Sequence, residues 1–233
     1  ISDFTMAWEL DKEHVAILVN RGNCYSALKD YESALADYKT AETLDPTELS
    51  IYYNRAHVYD KMESYELAIA DYTKCIELAG PKADFYQRRS DAYHYLGDEL
   101  SAMKDIENVL SVEPDHILAL NNLGYIYIQF EEYEKAVEIF IRREKLGNLD
   151  TYFFSNYGYA LFMTGKQELG IEYVTKALDL NLKNSYACKY LALMMLAKND
   201  LTAACEWINK GIALGYTTKY DNALVDLKAE HCK

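Results

Sequence analysis

His57, Asp60, Asp91 and His94 are the residues of this chain whose types and spacing come nearest to a reactive centre. Two imidazoles and two carboxylates on neighbouring helices are a legitimate ligand set for zinc or another divalent ion. Their 34-residue spacing has a second explanation, however, because it is the period of the whole chain, and polar residues facing solvent without a metal are the expected reading. The five cysteines, Cys24, Cys75, Cys188, Cys205 and Cys232, are odd in number and widely spaced, with no CxxC pair. They indicate neither a zinc site nor a disulfide framework. Cys24, Cys75, Cys188 and Cys205 fall at or beside packing positions, where a free thiol behaves as a small hydrophobe. The spacing of Cys205 and Cys232 allows a pair without demanding one. No phosphate loop, dinucleotide-binding turn or HExxH is present, so the expectation is a chain without catalytic residues, cofactor or metal.

Composition narrows the partners. The chain has 233 residues, 37 acidic against 24 basic, for a formal charge of −13. Such a balance opposes binding to a phosphate backbone, which excludes nucleic acid as the expected partner. No apolar stretch approaches the ~20 residues needed to cross a bilayer, so membrane insertion is not expected. The cysteine usage favours a reducing, cytoplasmic compartment unless a signal segment precedes Ile1. Three prolines and ten glycines are few, which points to helices.

The elements that position these side chains follow from self-similarity. Small residues recur every 34 positions at Gly22, Ala56, Ser90, Gly124, Gly158 and Ala192, and again at Ala34, Ala68, Ala102, Ala136, Gly170 and Ala204. Large residues occupy Tyr25, Tyr59, Tyr93, Tyr127, Leu161 and Met195, and also Tyr38, Tyr72, Ile106, Phe140, Val174 and Ile208. Small residues let two helices approach and large ones fill the space beside them, so each period is a helical pair. Pro46 and Pro114 end second helices, and Gly97 with Asp98 and Gly165 with Lys166 break pairs internally.

A period of 34 with these columns resembles the tetratricopeptide repeat family, most closely in YYNRAHVYDKMESYELAIADYTKCIEL, residues 52–78. The resemblance implies an all-α fold, a right-handed superhelical solenoid of helix-turn-helix repeats. The repeats are expected at 15–48, 49–82, 83–116, 117–150, 151–184 and 185–218. Residues 1–14 are expected to be the second helix of a preceding repeat, which would make the chain part of a longer one. Residues 219–233 are expected to form a capping helix, with Tyr220, Ala223, Leu224 and Leu227 on one face.

In this family the first helices line a concave groove that binds protein or peptide. Two residues before the first small column stand Asn20, Asn54, Arg88, Asn122, Asn156 and Tyr190, and three further on Asn23, His57, Asp91, Tyr125, Tyr159 and Leu193. A carboxamide both donates and accepts, so a row of asparagines can hold an extended backbone without reading its side chains. Such a row resembles the asparagine ladders of the O-GlcNAc transferase repeats and of importin-type solenoids. Asparagine at this position also has a purely local reading. The first half of the groove is charged, whereas the second is expected to present Tyr125, Ile128, Tyr159, Phe162, Tyr190 and Leu193 as apolar anchors. The carboxylate clamp of chaperone-binding repeats is matched at Asn23, Asn54 and Arg88, but Val19 and Asp84 replace its lysines. Arg21, Arg55 and Arg89, beside the small column, are read as stems packed between helices with heads solvated or paired to carboxylates. The expected function is a scaffold holding an extended partner segment. The alternatives are an assembly module using its convex face or ends, or an accessory region of a larger protein, with oligomeric state open.

Overall fold

The computed structural model describes residues 1–232, apart from the side chains of Thr218 and Lys219. Among the described residues the chain is helical and has no strand. After α1 (Ser2–Leu10) come six pairs: α2 (Val15–Ala27) with α3 (Tyr31–Leu44), α4 (Leu49–Lys61) with α5 (Tyr65–Ala79), α6 (Ala83–Tyr95) with α7 (Glu99–Val112), α8 (Ile117–Gln129) with α9 (Tyr133–Glu144), α10 (Thr151–Met163) with α11 (Gln167–Leu180), and α12 (Ser185–Ala197) with α13 (Leu201–Ala213). The short α14 (Tyr216–Lys219) and α15 (Ala223–His231) follow. Contacts divide the chain into two compact units, Ile1–Ala119 and Leu120–Lys233. No helix among the described residues is long and apolar enough to cross a membrane.

Every pair reverses by the same device. Lys29, Glu63, Gly97, Glu131, Gly165 and Asn199 all take a left-handed backbone, with φ from 57° to 91°. The residue that follows is the N-cap of the second helix, and Asp30, Asp98 and Asp200 there accept the N–H of Ser33, Ser101 and Ala203 at 3.2, 3.1 and 3.0 Å. Each satisfies a donor that the first turn leaves open. Lys166 holds this place before α11 and makes no cap bond, with its ammonium at the positive end of the helix dipole. Within that pair α10 and α11 approach to backbone contact, since a Cβ on Gly158 would stand 2.7 Å from the carbonyl oxygen of Gly170.

In the first unit an ion pair joins the helices of each repeat. Arg21, Arg55 and Arg89 present Nε and Nη2 to both oxygens of Asp37, Asp71 and Asp105 at 2.7–2.8 Å. Nη1 reaches the helix before, at Thr5, Glu42 and Thr73. Thr5 of α1 therefore meets Arg21 as Thr73 of α5 meets Arg89. In the second unit the same two columns hold Leu123 and Ile139, Tyr157 and Tyr173, and Leu191 and Trp207. Tyr157 and Tyr173 meet edge to face at 5.1 Å. Arg143, 1% exposed, is the second unit's large buried cation, and it bonds the carbonyls of Gly147 and Asn148.

The end of the chain corrects one expectation and decides another that the sequence left open. The last helix begins at Ala223 and leaves Tyr220 outside it, because Gly215 turns left-handed at φ 80° and the Asp221 carboxylate accepts the N–H of Ala223 to start the helix anew. Leu224, fully buried, seats α15 against Gly211 of α13. Lys233, placed in the cap by the sequence, lies outside the described residues. Docking of α15 on α13 also brings Cys232 to Cys205, and the two form a disulfide, the pair that their spacing allowed without demanding. Cys75 and Cys188 are free and buried, and burial pushes the Cys75 thiol up to about 12.

Two stability measurements check this account by chemical denaturation. Asp105→Ile strands a buried guanidinium and should cost about 3–5 kcal/mol. Adding Arg89→Leu, which copies Leu123 and Ile139, should recover most of that loss; a double variant as unstable as the single one would show that the pair is not the tie. Lys166→Asp supplies the missing cap and should add about 1 kcal/mol, with an unchanged midpoint counting against it.

Candidate binding face on the first helices

In the first unit, α2, α4 and α6 carry the expected site residues, and the second helices supply partners from behind. Tyr38 of α3 donates to Asn23 Oδ1 at 2.6 Å. One repeat on, Tyr72 of α5 donates to Asp60 Oδ2 at 2.6 Å and lies 3.2 Å from His57 Nδ1. With its hydrogen given to Asp60, the hydroxyl takes one from His57. Burial pulls the His57 imidazole below its ordinary value, and burial pushes Asp60 and Asp91 above the usual carboxylate range. In the third repeat the second-helix position is Ile106, which has no hydroxyl. Asp91 accepts instead from Gln87 Nε2 at 2.9 Å.

Two pockets open on this face. One, of about 260 Å³, is lined by His57, Asp60, Tyr65, Arg88, Asp91 and Tyr95 among others. The other, of about 310 Å³, is lined by Asp84, Gln87, Arg88, Asp91, Glu113 and His116 among others. Arg88 and Asp91, nearly a turn apart on α6, border both. Asn20 is exposed and Asn54 half-buried. The carboxylate clamp is not formed, because Val19 is buried and Asp84 takes the Tyr53 hydroxyl at 2.7 Å while standing 3.5 Å from Arg88 Nε. A carboxylate occupies the place where the clamp needs an ammonium. His94 pairs with Glu99 at 2.6 Å, and among the described residues no group of three potential ligands could hold a metal ion.

The second unit places its site residues differently. Asn122, Tyr125, Tyr159 and Leu193 are half-buried. Asn156 and Tyr190 are buried against each other, the Tyr190 hydroxyl donating to Asn156 Oδ1 at 3.0 Å. Tyr159 and Tyr190 stack at 4.3 Å, Tyr190 meets Tyr186 at 5.0 Å, and Tyr186 meets Tyr220 at 5.2 Å. Ile128 and Phe162 are also buried. The apolar anchors expected here are thus corrected for Ile128, Phe162 and Tyr190. Tyr190 is covered by stacking on Tyr159, while Ile128 and Phe162 belong to the buried core, Phe162 beside Gly170.

Sequence reasoning missed Gln87, Glu113, His116, Tyr65 and Tyr95 on the first unit's face. Gln87 had a signal, since it stands two periods after Val19, where the clamp has a lysine. Tyr65 and Tyr95 lie in different repeat positions and stack at 4.9 Å, a contact that no period announces.

Comparison with known proteins agrees with this architecture. A family model described as tetratricopeptide repeat matches residues 15–48 and 50–80, and two others of the same description match 83–116 and 119–151, together more than half of the chain. The chain belongs to the tetratricopeptide repeat family. Repeats of this family serve in general as protein-interaction scaffolds. A sequence relative, TPR repeat-containing protein MJ1428 of Methanocaldococcus jannaschii, is 29% identical over 113 residues, 48% of this chain but only 20% of that protein. Among solved structures, YrrB, described as a TPR protein with an unusual peptide-binding site, superposes with a TM-score of 0.69 at 22% identity, over 79% of this chain and 95% of its own. The C-terminal part of a TPR repeat-containing protein from Cytophaga hutchinsonii superposes with a TM-score of 0.71 at 20% identity, over 97% and 92% of the two chains. At such identities the likeness is one of fold.

Asp91 offers a test of the buried face. Since burial raises its pKa, its stabilising contribution is complete below the unfolded value of about 3.9 and is lost as pH rises through the folded value. Asp91→Asn keeps an oxygen for Gln87, so the variant should gain stability over the parent as pH goes from about 4 towards 7. Urea unfolding of both chains across that range measures the difference, and a constant offset would contradict the assigned burial.

Proposed function

We propose that the first unit holds an extended segment of a partner protein along the face of α2, α4 and α6, in the groove that tetratricopeptide repeats use. The observation that carries this reading is the pair of pockets that share Arg88 and Asp91. Adjoining depressions on successive first helices suit a chain whose alternate side chains enter them. Asn20 and Asn54 add carboxamides that can bond a peptide's own N–H and C=O groups. The peptide-binding site in the description of YrrB supports the same use of the fold. Half-buried Tyr125, Tyr159 and Leu193 are the corresponding surface of the second unit, with fewer polar groups to offer.

Peptides selected from a displayed random library by the purified chain provide the assay. Combined Asn54→Ala and Arg88→Ala should weaken the selected peptides by at least about tenfold, the scale of one lost charged hydrogen bond, with helicity unchanged. Glu107→Ala on the exposed face of α7 should leave them bound. The reverse pattern would move binding to the second helices and end the groove reading.

A further inference from the structure

Gln87 is 6% exposed and half satisfied. Its Nε2 is spent on Asp91 Oδ1 at 2.9 Å and on the Ser90 hydroxyl at 3.4 Å, while its Oε1 has no hydrogen-bond partner. A buried acceptor left open carries a cost that a donor removes. Exchanging the two amide atoms does not help, because it would turn an oxygen towards the Asp91 carboxylate. The missing partner is a hydrogen-bond donor.

The pocket that Gln87 lines is rich in acceptors. Asp84, Asp91 and Glu113 contribute carboxylates against the single guanidinium of Arg88, which Asp84 already accompanies at 3.5 Å. His116 spends its Nδ1 on the N–H of Ala119 at 3.1 Å. At about 310 Å³ the pocket has room for a long side chain and not merely for one water, which takes about 30 Å³. A carboxylate or phosphate would bring acceptors to acceptors here. A Lys ammonium or Arg guanidinium brings donors and charge together. The adjoining pocket is balanced in charge, Asp60 and Asp91 against Lys61 and Arg88, and adds the stacked Tyr65 and Tyr95, whose rings suit an aliphatic stem or a planar guanidinium. Gln87 also has a counterpart in repeat register, since Asn121 stands 34 residues on and its Oδ1 is likewise without a partner.

We infer that the partner segment carries a lysine or arginine whose side chain enters the pocket lined by Gln87, Asp91 and Glu113. This rests on the groove reading and adds the chemistry of the guest. The molecule's charge of −13 favours the same class of segment at a distance.

Sequencing of the library peptides selected by the intact chain tests it directly. A basic residue should be fixed at one position, and a synthetic copy with norleucine there, of similar length without the charge, should bind about tenfold more weakly. Asp91→Asn and Gln87→Leu should bring the two peptides to within about twofold of each other. Should Gln87→Leu fail to fold, Glu113→Gln at an exposed position gives the same reading, while Glu107→Gln, off the face, should leave the preference intact. Peptides that bind in an Arg88-dependent way without a fixed basic residue would overturn this inference and leave the groove standing. A preference for basic peptides that Glu107→Gln reduces as much as Asp91→Asn does would assign it to overall charge and equally overturn it. Failure to select any peptide would overturn both.

Discussion

One guanidinium bonded to both oxygens of one aspartate, three times at intervals of 34 residues, governs the first unit. Each arginine reaches its own second helix through Asp37, Asp71 or Asp105 and the helix before through Thr5, Glu42 or Thr73. A planar fork meeting a planar carboxylate fixes orientation as well as distance, which a lysine would not do. The bonds are largely out of water, so removing either partner costs far more than the pair contributes over an apolar substitute. Three helices are thereby held in register at each repeat. The first helices become rigid supports on which residues two to five positions from the arginine, such as Asn23, Asp91 and His57, keep their places.

The second unit solves the same problem with rings. Tyr157 against Tyr173 occupies the place of one ion pair, with Leu123 and Ile139 and Leu191 and Trp207 at the others, and Tyr159, Tyr190, Tyr186 and Tyr220 continue in contact with one another. Aromatic contacts are less demanding in direction and larger in buried area. They consume the side chains that would otherwise face a ligand. Asn156, polar and in the groove column, ends as an acceptor for Tyr190. The unit with more aromatic residues on its first helices consequently offers less open chemistry than the one with arginines.

The repeat was legible because its causes are local and recur: small residues where helices touch, large ones beside them, and a reversal every 34 residues. The arginines were legible as packing elements, and their carboxylate partners are now Asp37, Asp71 and Asp105. Exposure within the groove was not legible. A tyrosine at a groove position reads as an anchor in one dimension, and only the distance between Tyr159 and Tyr190 reveals that they cover each other. The disulfide was legible only as an allowed pair, since Cys205 and Cys232 meet through the docking of α15 on α13 and not through spacing. Glu63 and Glu131 at left-handed positions also gave no composition signal, as glycine does at Gly97 and Gly165.

The binding chemistry of α6 arises from something removed. Tyr38 and Tyr72 extend hydroxyls from the second helices to Asn23, His57 and Asp60, so those groups have internal partners before any ligand arrives. Ile106 fills the same space in the third repeat without a hydroxyl. Asp91 is then left to Gln87, and the amide that turns its nitrogen towards Asp91 leaves its oxygen open. A tyrosine at position 106 would be placed to donate to Asp91, releasing Gln87 from that duty. Within the first unit two copies carry the second-helix hydroxyl and the third does not, and the site lies at the copy without it, while the second unit holds Phe140, Val174 and Ile208 in that column. The open acceptor of Gln87 follows from the absence of a hydroxyl at Ile106 on the opposite helix, and the donor it lacks is one that a guest must bring.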